Sequence, residues 1–255
     1  MQTPTIELIY QHASIRRYKS DPVDRNLVEE IVAAGQRAST SSNLQTYSVI
    51  AVGDREKRNR LAELCGNQEQ IRQAPIFLAW CADLSRLDRI CVRRGYEQVT
   101  EHVESFLVST VDAALAMQNA ALASESHGLG MCSIGAIRNR PRDVIALLGL
   151  PELVFPISGM TLGWPDVEPR IRPRLPLNAV LHWESYSKHG EEEAIRQYDE
   201  SMIATGIYSG RQASGKGQKA AVSEYGWAEH SARRASLALR TDLRQILAEQ
   251  GFLLR

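Results

Sequence analysis

The residues best suited to chemistry sit in two basic knots. Near the start, His12-Ala13-Ser14-Ile15-Arg16-Arg17 holds an imidazole, a hydroxyl and two guanidinium groups. Far downstream, Arg170-Ile171-Arg172-Pro173-Arg174-Leu175-Pro176 alternates positive charge with prolines that stiffen the chain. A guanidinium keeps its charge at any working pH, and its planar fork matches phosphate oxygens. Either knot alone reads as solvated surface arginine. Two of them in a chain of zero net charge point to one specific anion, the phosphate of a small ligand.

Between the knots lie groups that could hold the rest of such a ligand. Hydroxyls and amides cluster at residues 39–45, a Gly66-Asn67-Gln68 turn follows, and Ser133-Ile134-Gly135-Ala136 offers backbone amides. No side chain looks like a nucleophile paired with a base, so a bound cofactor is expected to carry the chemistry. Several motifs fail on inspection. Gly210-Arg211-Gln212-Ala213-Ser214-Gly215-Lys216 matches seven positions of a P-loop, but Gly217 stands where a magnesium-binding hydroxyl is needed, and no strand precedes it. Gly128-Leu129-Gly130 starts like a dinucleotide fingerprint, yet Ser133 takes the third glycine position. The six histidines show no metal-ligand spacing, so no metal is expected.

The elements that must position these groups are read from periodicity. Helices are expected over 5–11, over 25–38 behind an Asp24 cap, and over 55–65, 98–126, 143–148, 191–204 and 229–250. In the long central helix, Val108, Val111, Ala114, Leu115, Gln118, Ala121 and Leu122 trace the apolar stripe, and many alanines would admit a close neighbour. Strands are expected at 47–52, at 76–81, at 154–162 and, more briefly, within 131–136. The run at 76–81 is apolar throughout, which predicts a central strand covered on both faces. Residues 208–217 read as a basic loop rich in Gly and Ser. The order of elements predicts an α+β fold, a mostly antiparallel sheet between helices, with no repeat and no domain linker.

Composition sets outer limits. With 30 acidic and 30 basic residues, bulk charge gives no reason to expect a nucleic-acid or membrane partner. No run approaches the length that spans a bilayer, and the N-terminus lacks the pattern of a signal peptide. Cys65, Cys81, Cys91 and Cys132 are scattered, so free thiols and a cytoplasmic setting are expected.

These residues carry a resemblance to the FMN-dependent nitroreductase superfamily, in its branch of oxygen-insensitive NADPH nitroreductases and NADPH–flavin oxidoreductases. His12-Ala13-Ser14-Ile15-Arg16 resembles the family's His-Arg-Ser-Ile-Arg, residues 39–45 its Ser-rich loop, and Ser133-Ile134-Gly135-Ala136-Ile137-Arg138-Asn139 its Tyr-Ile-Gly-Gly-Leu-Arg-Asn. Leu162-Gly163-Trp164-Pro165 followed by Arg172-Pro173-Arg174-Leu175-Pro176 is the most specific pair, and Tyr198-Asp199-Glu200 also stands where that branch has it. Ala13, Asn43, Ser133 and Ala136 depart from the family pattern, which bears on pocket shape and substrate choice.

The resemblance implies an obligate homodimer with FMN at the subunit seam. It implies a flavin-binding core over 1–176 and a helical extension over 177–255 within one domain, with 208–217 mobile. His12, Ser14, Arg16, Arg172 and Arg174 would hold the flavin phosphate. Thr40, Ser41, Ser42 and Gln68 would meet the ribityl chain and ring edge, with Ser133, Ile134, Gly135 and Ala136 along the isoalloxazine. Asn43 and Arg240 would line the substrate pocket, and Arg138, Arg211 and Lys216 would meet NADPH, with NADH possible in its place. The implied activity is hydride transfer from NADPH through FMN to nitroaromatics, quinones or flavins by a ping-pong mechanism. Two alternatives stay open: delivery of reduced FMN to a monooxygenase, and a flavin-binding regulatory or storage protein.

Overall fold

Four β-rich segments pair into one antiparallel sheet in the order β1-β2-β4-β3: β1 (Tyr47–Val52), β2 (Ile76–Asp83), β3 (Gly130–Ile134) and β4 (Val154–Gly163). The structure is a computed structural model describing residues 2–210 and 225–255. Its residues divide into two compact units, Met1–Arg170 with Arg240–Arg255, and Ile171–Leu239. The sheet lies in the first.

β2 is central, and its alternation explains the two cores. Leu78, Trp80 and Ala82 face α2 (Arg25–Gly35) and α6 (Val103–Ser126), where Val28, Ile31, Ala113, Ala116 and Ala120 are buried. Phe77 and Ala79 face the other way, into a cluster with Leu61 and Leu64 of α3 (Arg55–Leu64), Ile71 of α4 (Glu69–Gln73) and Val144 of α7 (Pro141–Leu148). A strand buried on both faces is what its unbroken apolar run predicts. Close strand packing is built in at Gly159 of β4, where an added Cβ would lie 2.8 Å from Phe77 Cε2 and 3.2 Å from Ile134 Cβ.

Several expectations are corrected. α6 starts at Val103, and α5 (Ser85–Arg94) and α4 were not read from the sequence at all. The single helix expected over 229–250 is two, α9 (Trp227–Ala235) and α10 (Leu243–Glu249), broken where Arg240 takes φ 55°. The stripe read as the core face of α6 also turns out differently. Of that stripe Ala121 is buried, but Val111, Ala114, Leu115 and Gln118 are exposed, and the buried face is instead Ala113, Ala116, Met117 and Ala120. The small side chains let α2 and the sheet approach, with Met117 and Phe106 filling the wider gaps, so Val111 and Leu115 point away. By length and composition α6 is also long and apolar enough to cross a membrane, an 18-residue window reaching mean hydropathy 1.3, contrary to the expectation that no run approaches that length. Here its inner face packs on the sheet, and it buries the polar Ser109, Asp112 and Ser124.

The second unit carries α8 (Glu191–Ala204) and α9. Tyr198 stacks edge-on against Trp227 at 5.1 Å, and the Ala228 N–H donates to Asp199 Oδ1 at 2.9 Å. Two residues of the Tyr198-Asp199-Glu200 triplet thus fasten α9 onto α8.

Candidate functional site

The first basic knot is an extended segment fixed on the sheet. The Ile15 N–H donates to the Met131 carbonyl at 2.9 Å, and an added Cβ on Gly130 would lie 2.6 Å from Ile15 Cγ1. Ile15 and Tyr18 are buried, and the Tyr18 hydroxyl donates to the Ile15 carbonyl at 2.7 Å. Alternation along an extended chain then leaves Ser14 and Arg16 exposed. Burial pushes the Tyr18 phenol well above its ordinary range, so it serves as a neutral strut. Arg16 makes no hydrogen bond or ion pair with another described residue. His12 Nδ1 lies 2.5 Å from Glu125 Oε1 of α6, which fixes the ring and directs Nε2 the other way.

β3 continues from this contact. Ser133 is exposed and Ile134 buried, and the chain then turns into the 3-10 stretch Gly135–Arg138. The Arg138 guanidinium turns inward to the Ile157 carbonyl, and burial, with the nearby Arg240 charge, lowers its pKa. Arg240 Nε donates to Asn139 Oδ1 at 3.0 Å, and Gly66 lies beside the Asn139 amide, 3.5 Å from an added Cβ. The first unit therefore brings together the basic segment, β3 with its following turn, the 66–68 turn and Arg240. Gln68 uses its side-chain amide locally, donating to the Cys65 carbonyl at 3.0 Å.

The hydroxyl-rich loop is anchored elsewhere. Ser41–Asn43 forms one 3-10 turn, and Ser42, Asn43 and Gln45 all take positive φ, 48°, 55° and 54°. Among the described residues no hydrogen bond ties this loop to the basic segment or to residues 133–138. Its partners are Asp112 of α6 and Arg86 of α5, neither of which sequence reasoning singled out. Arg172 and Arg174 are exposed in the second unit, where Arg174 Nη1 makes only long 3.4 Å bonds to the Arg172 and Pro173 carbonyls. Arg211 and Lys216, with most of the 208–217 loop, lie outside the described residues.

Among the described residues no group of three or more His, Cys, Asp or Glu could hold a metal ion. Burial pushes the Cys65 and Cys81 thiols up to about 12, so neither offers a thiolate.

The nitroreductase family model matches residues 9–164, and the model of that family's C-terminal domain matches residues 172–255. The chain belongs to the nitroreductase family. Among family relatives it is 37% identical over 251 residues to the FMN reductase [NAD(P)H] of Bacillus subtilis (strain 168), covering 97% of both chains. It is 36% identical over 253 residues to the oxygen-insensitive NADPH nitroreductase of Salmonella typhimurium, covering 99% of this chain and 100% of that one. In three dimensions it is similar to the NADPH:FMN oxidoreductase from Vibrio harveyi, solved in complex with NAD+, with TM-score 0.86 and 34% identity over 99% of this chain and 100% of that one. The antiparallel sheet flanked by helices is therefore the family's fold, as the resemblance implied.

Proposed function

We propose that this chain is an FMN-dependent NAD(P)H oxidoreductase that reduces nitroaromatics, quinones or flavins, NADPH being the expected donor and NADH an alternative. The family match over nearly the whole chain carries the reading. The donor set fits a phosphate ester. Ser14 and Arg16 are exposed on a rigid segment, and the His12 ring is aimed by Glu125. When bound, FMN supplies the hydride-accepting and hydride-donating centre that no side chain here offers.

The chain's own residues bind and orient. His12, Ser14, Arg16, Arg172 and Arg174 hold the phosphate. Thr40, Ser41, Ser42 and Gln68 hold the ribityl chain and ring edge, and the backbone of residues 133–136 runs along the ring. Asn43 and Arg240 face donor and acceptor, which occupy one place in turn. Arg138, Arg211 and Lys216 serve the donor's phosphates, Arg138 through the turn it braces. The purified protein should be yellow, and anaerobic NADPH should bleach it. Double-reciprocal plots against donor and acceptor should run parallel, and intersecting lines would exclude a shared place. Relatives named as FMN reductases favour a second reading in which reduced FMN is itself the product, passed to a monooxygenase. Turnover with free FMN well above turnover with nitrofurazone would select it. The buried Cys65 and Cys81 thiols suit a reducing cytoplasm.

The working form is a homodimer with the flavin at its seam. The outer face of α6 exposes Val103, Leu107, Val111 and Leu115, four residues apart, and α1 (Pro4–Tyr10), packed beside α6, exposes Ile6, Ile9 and Tyr10. A contiguous apolar surface of this kind marks an association site. Leu107→Glu should shift the protein to monomer in sedimentation velocity and release its flavin. A dimer that persists with full colour would remove this face from the interface.

A further inference from the structure

The carboxylate that holds the hydroxyl-rich loop lies in the middle of α6. Asp112 is 1% exposed, and both of its oxygens are engaged. The Ser41 N–H donates to Oδ1 at 3.0 Å, while the Thr46 N–H and hydroxyl donate to Oδ2 at 3.1 and 2.8 Å. Ser41 and Thr46 are the two ends of the segment that holds all three left-handed residues. Asn takes such backbone comparatively readily, but Ser42 and Gln45 hold it only where surrounding contacts over-determine it. One buried side chain that grips both ends supplies that constraint.

A second grip comes from the other side. Arg86 Nη1 donates to the Gln45 carbonyl at 2.9 Å, and Nη2 to the Tyr47 carbonyl at 3.2 Å and Ser48 Oγ at 3.0 Å. The Asp83 N–H donates to the Thr46 carbonyl at 2.9 Å. No Lys, Arg or His pairs with Asp112 among the described residues, so directed N–H and O–H donors alone satisfy its charge. An amide at this place would present an NH2 group to at least one of those donors.

We infer that Asp112 is a positioning residue. Its carboxylate fixes the backbone of residues 41–46 and so sets where Ser41 and Ser42 meet the cofactor and where Asn43 meets the acceptor. The cofactor half of this inference rests on the function proposed above.

The test is Asp112→Asn in the full-length protein. Hydrogen exchange at the Ser41 and Thr46 amides should quicken about tenfold or more, with α2 and β2 unchanged. FMN should dissociate about tenfold more readily, and the acceptor KM should rise by a larger factor than kcat falls. Thr46→Ser, which keeps the hydroxyl, should behave as the parent, while Thr46→Val should reproduce part of the effect. That pair also decides the matter if Asp112→Asn does not fold. Unchanged exchange at 41 and 46, uniformly faster exchange with a lowered Tm, or equal behaviour of the two Thr46 variants would overturn the assignment. Failure of the parent protein to take up FMN would overturn the functional reading instead, and the exchange data would still judge the loop.

Discussion

Arg174→Ala should yield a folded protein that loses its flavin on gel filtration. The side chain is exposed, and its bonds within its own unit are two 3.4 Å contacts to adjacent carbonyls, so the unit does not depend on it. The Tyr198 hydroxyl, which donates to the Pro173 carbonyl at 3.4 Å, is untouched by the change. What the variant loses is one charge-assisted contact to the cofactor phosphate, typically about 1.5–3 kcal/mol. That corresponds to FMN binding weaker by roughly ten- to a hundredfold. Fluorescence titration of the flavin-free protein measures it directly. Full flavin occupancy in the variant would take Arg174 out of the site.

The second large effect is expected at Gly159→Ala, and it is a test of packing. The register places Gly159 between Ala79 of β2 and Ile134 of β3. The new methyl would press on Phe77, which is fully buried in the cluster below the sheet and has nowhere to swing. Overpacking of a tight core costs about 1–3 kcal/mol, and this site belongs at the upper end. For a chain of this size each kcal/mol lowers Tm by about 2–4 °C. The relief available is a shift of β3, which would carry Ile134 with it and weaken flavin retention too. A thermal melt and an FMN titration on one sample separate the two effects. A Tm within one degree of the parent would show that Phe77 has room to move.

Much of this fold was legible where local chemistry and tertiary burial agree. β1 and α8 stand where periodicity places them, and Asp24 caps α2 by accepting from the Asn26 N–H at 2.8 Å. α4 escaped because five residues are too short to show a period, and α5 because four of its ten residues are arginines and its N-cap position holds Leu84, the capping carboxylate coming from Asp83 one position earlier. The face of α6 was misread for a physical reason. A helix with one alanine face and one valine–leucine face has two apolar sides, and a hydrophobicity scale ranks the larger side chains higher. Close packing chose the smaller.

In the site, the groups proposed to meet the ligand were legible because their types advertise an anion-binding role. The residues that hold those groups in place were not. Asp112 and Glu125 look like ordinary helix acids, and Arg86 like a surface charge. Their partners lie 38 to 113 positions away, a pairing that no local window contains.

The contact between Ile15 and Gly130 has one more consequence. The backbone that presents Ser14 and Arg16 is hydrogen-bonded to β3, with no slack for a side chain at the crossing. An anion arriving there meets groups whose ordering entropy was settled when the chain folded, so preorganisation adds to its grip. The penalty for stiffening such a segment falls on the folding equilibrium and not on each encounter with a ligand.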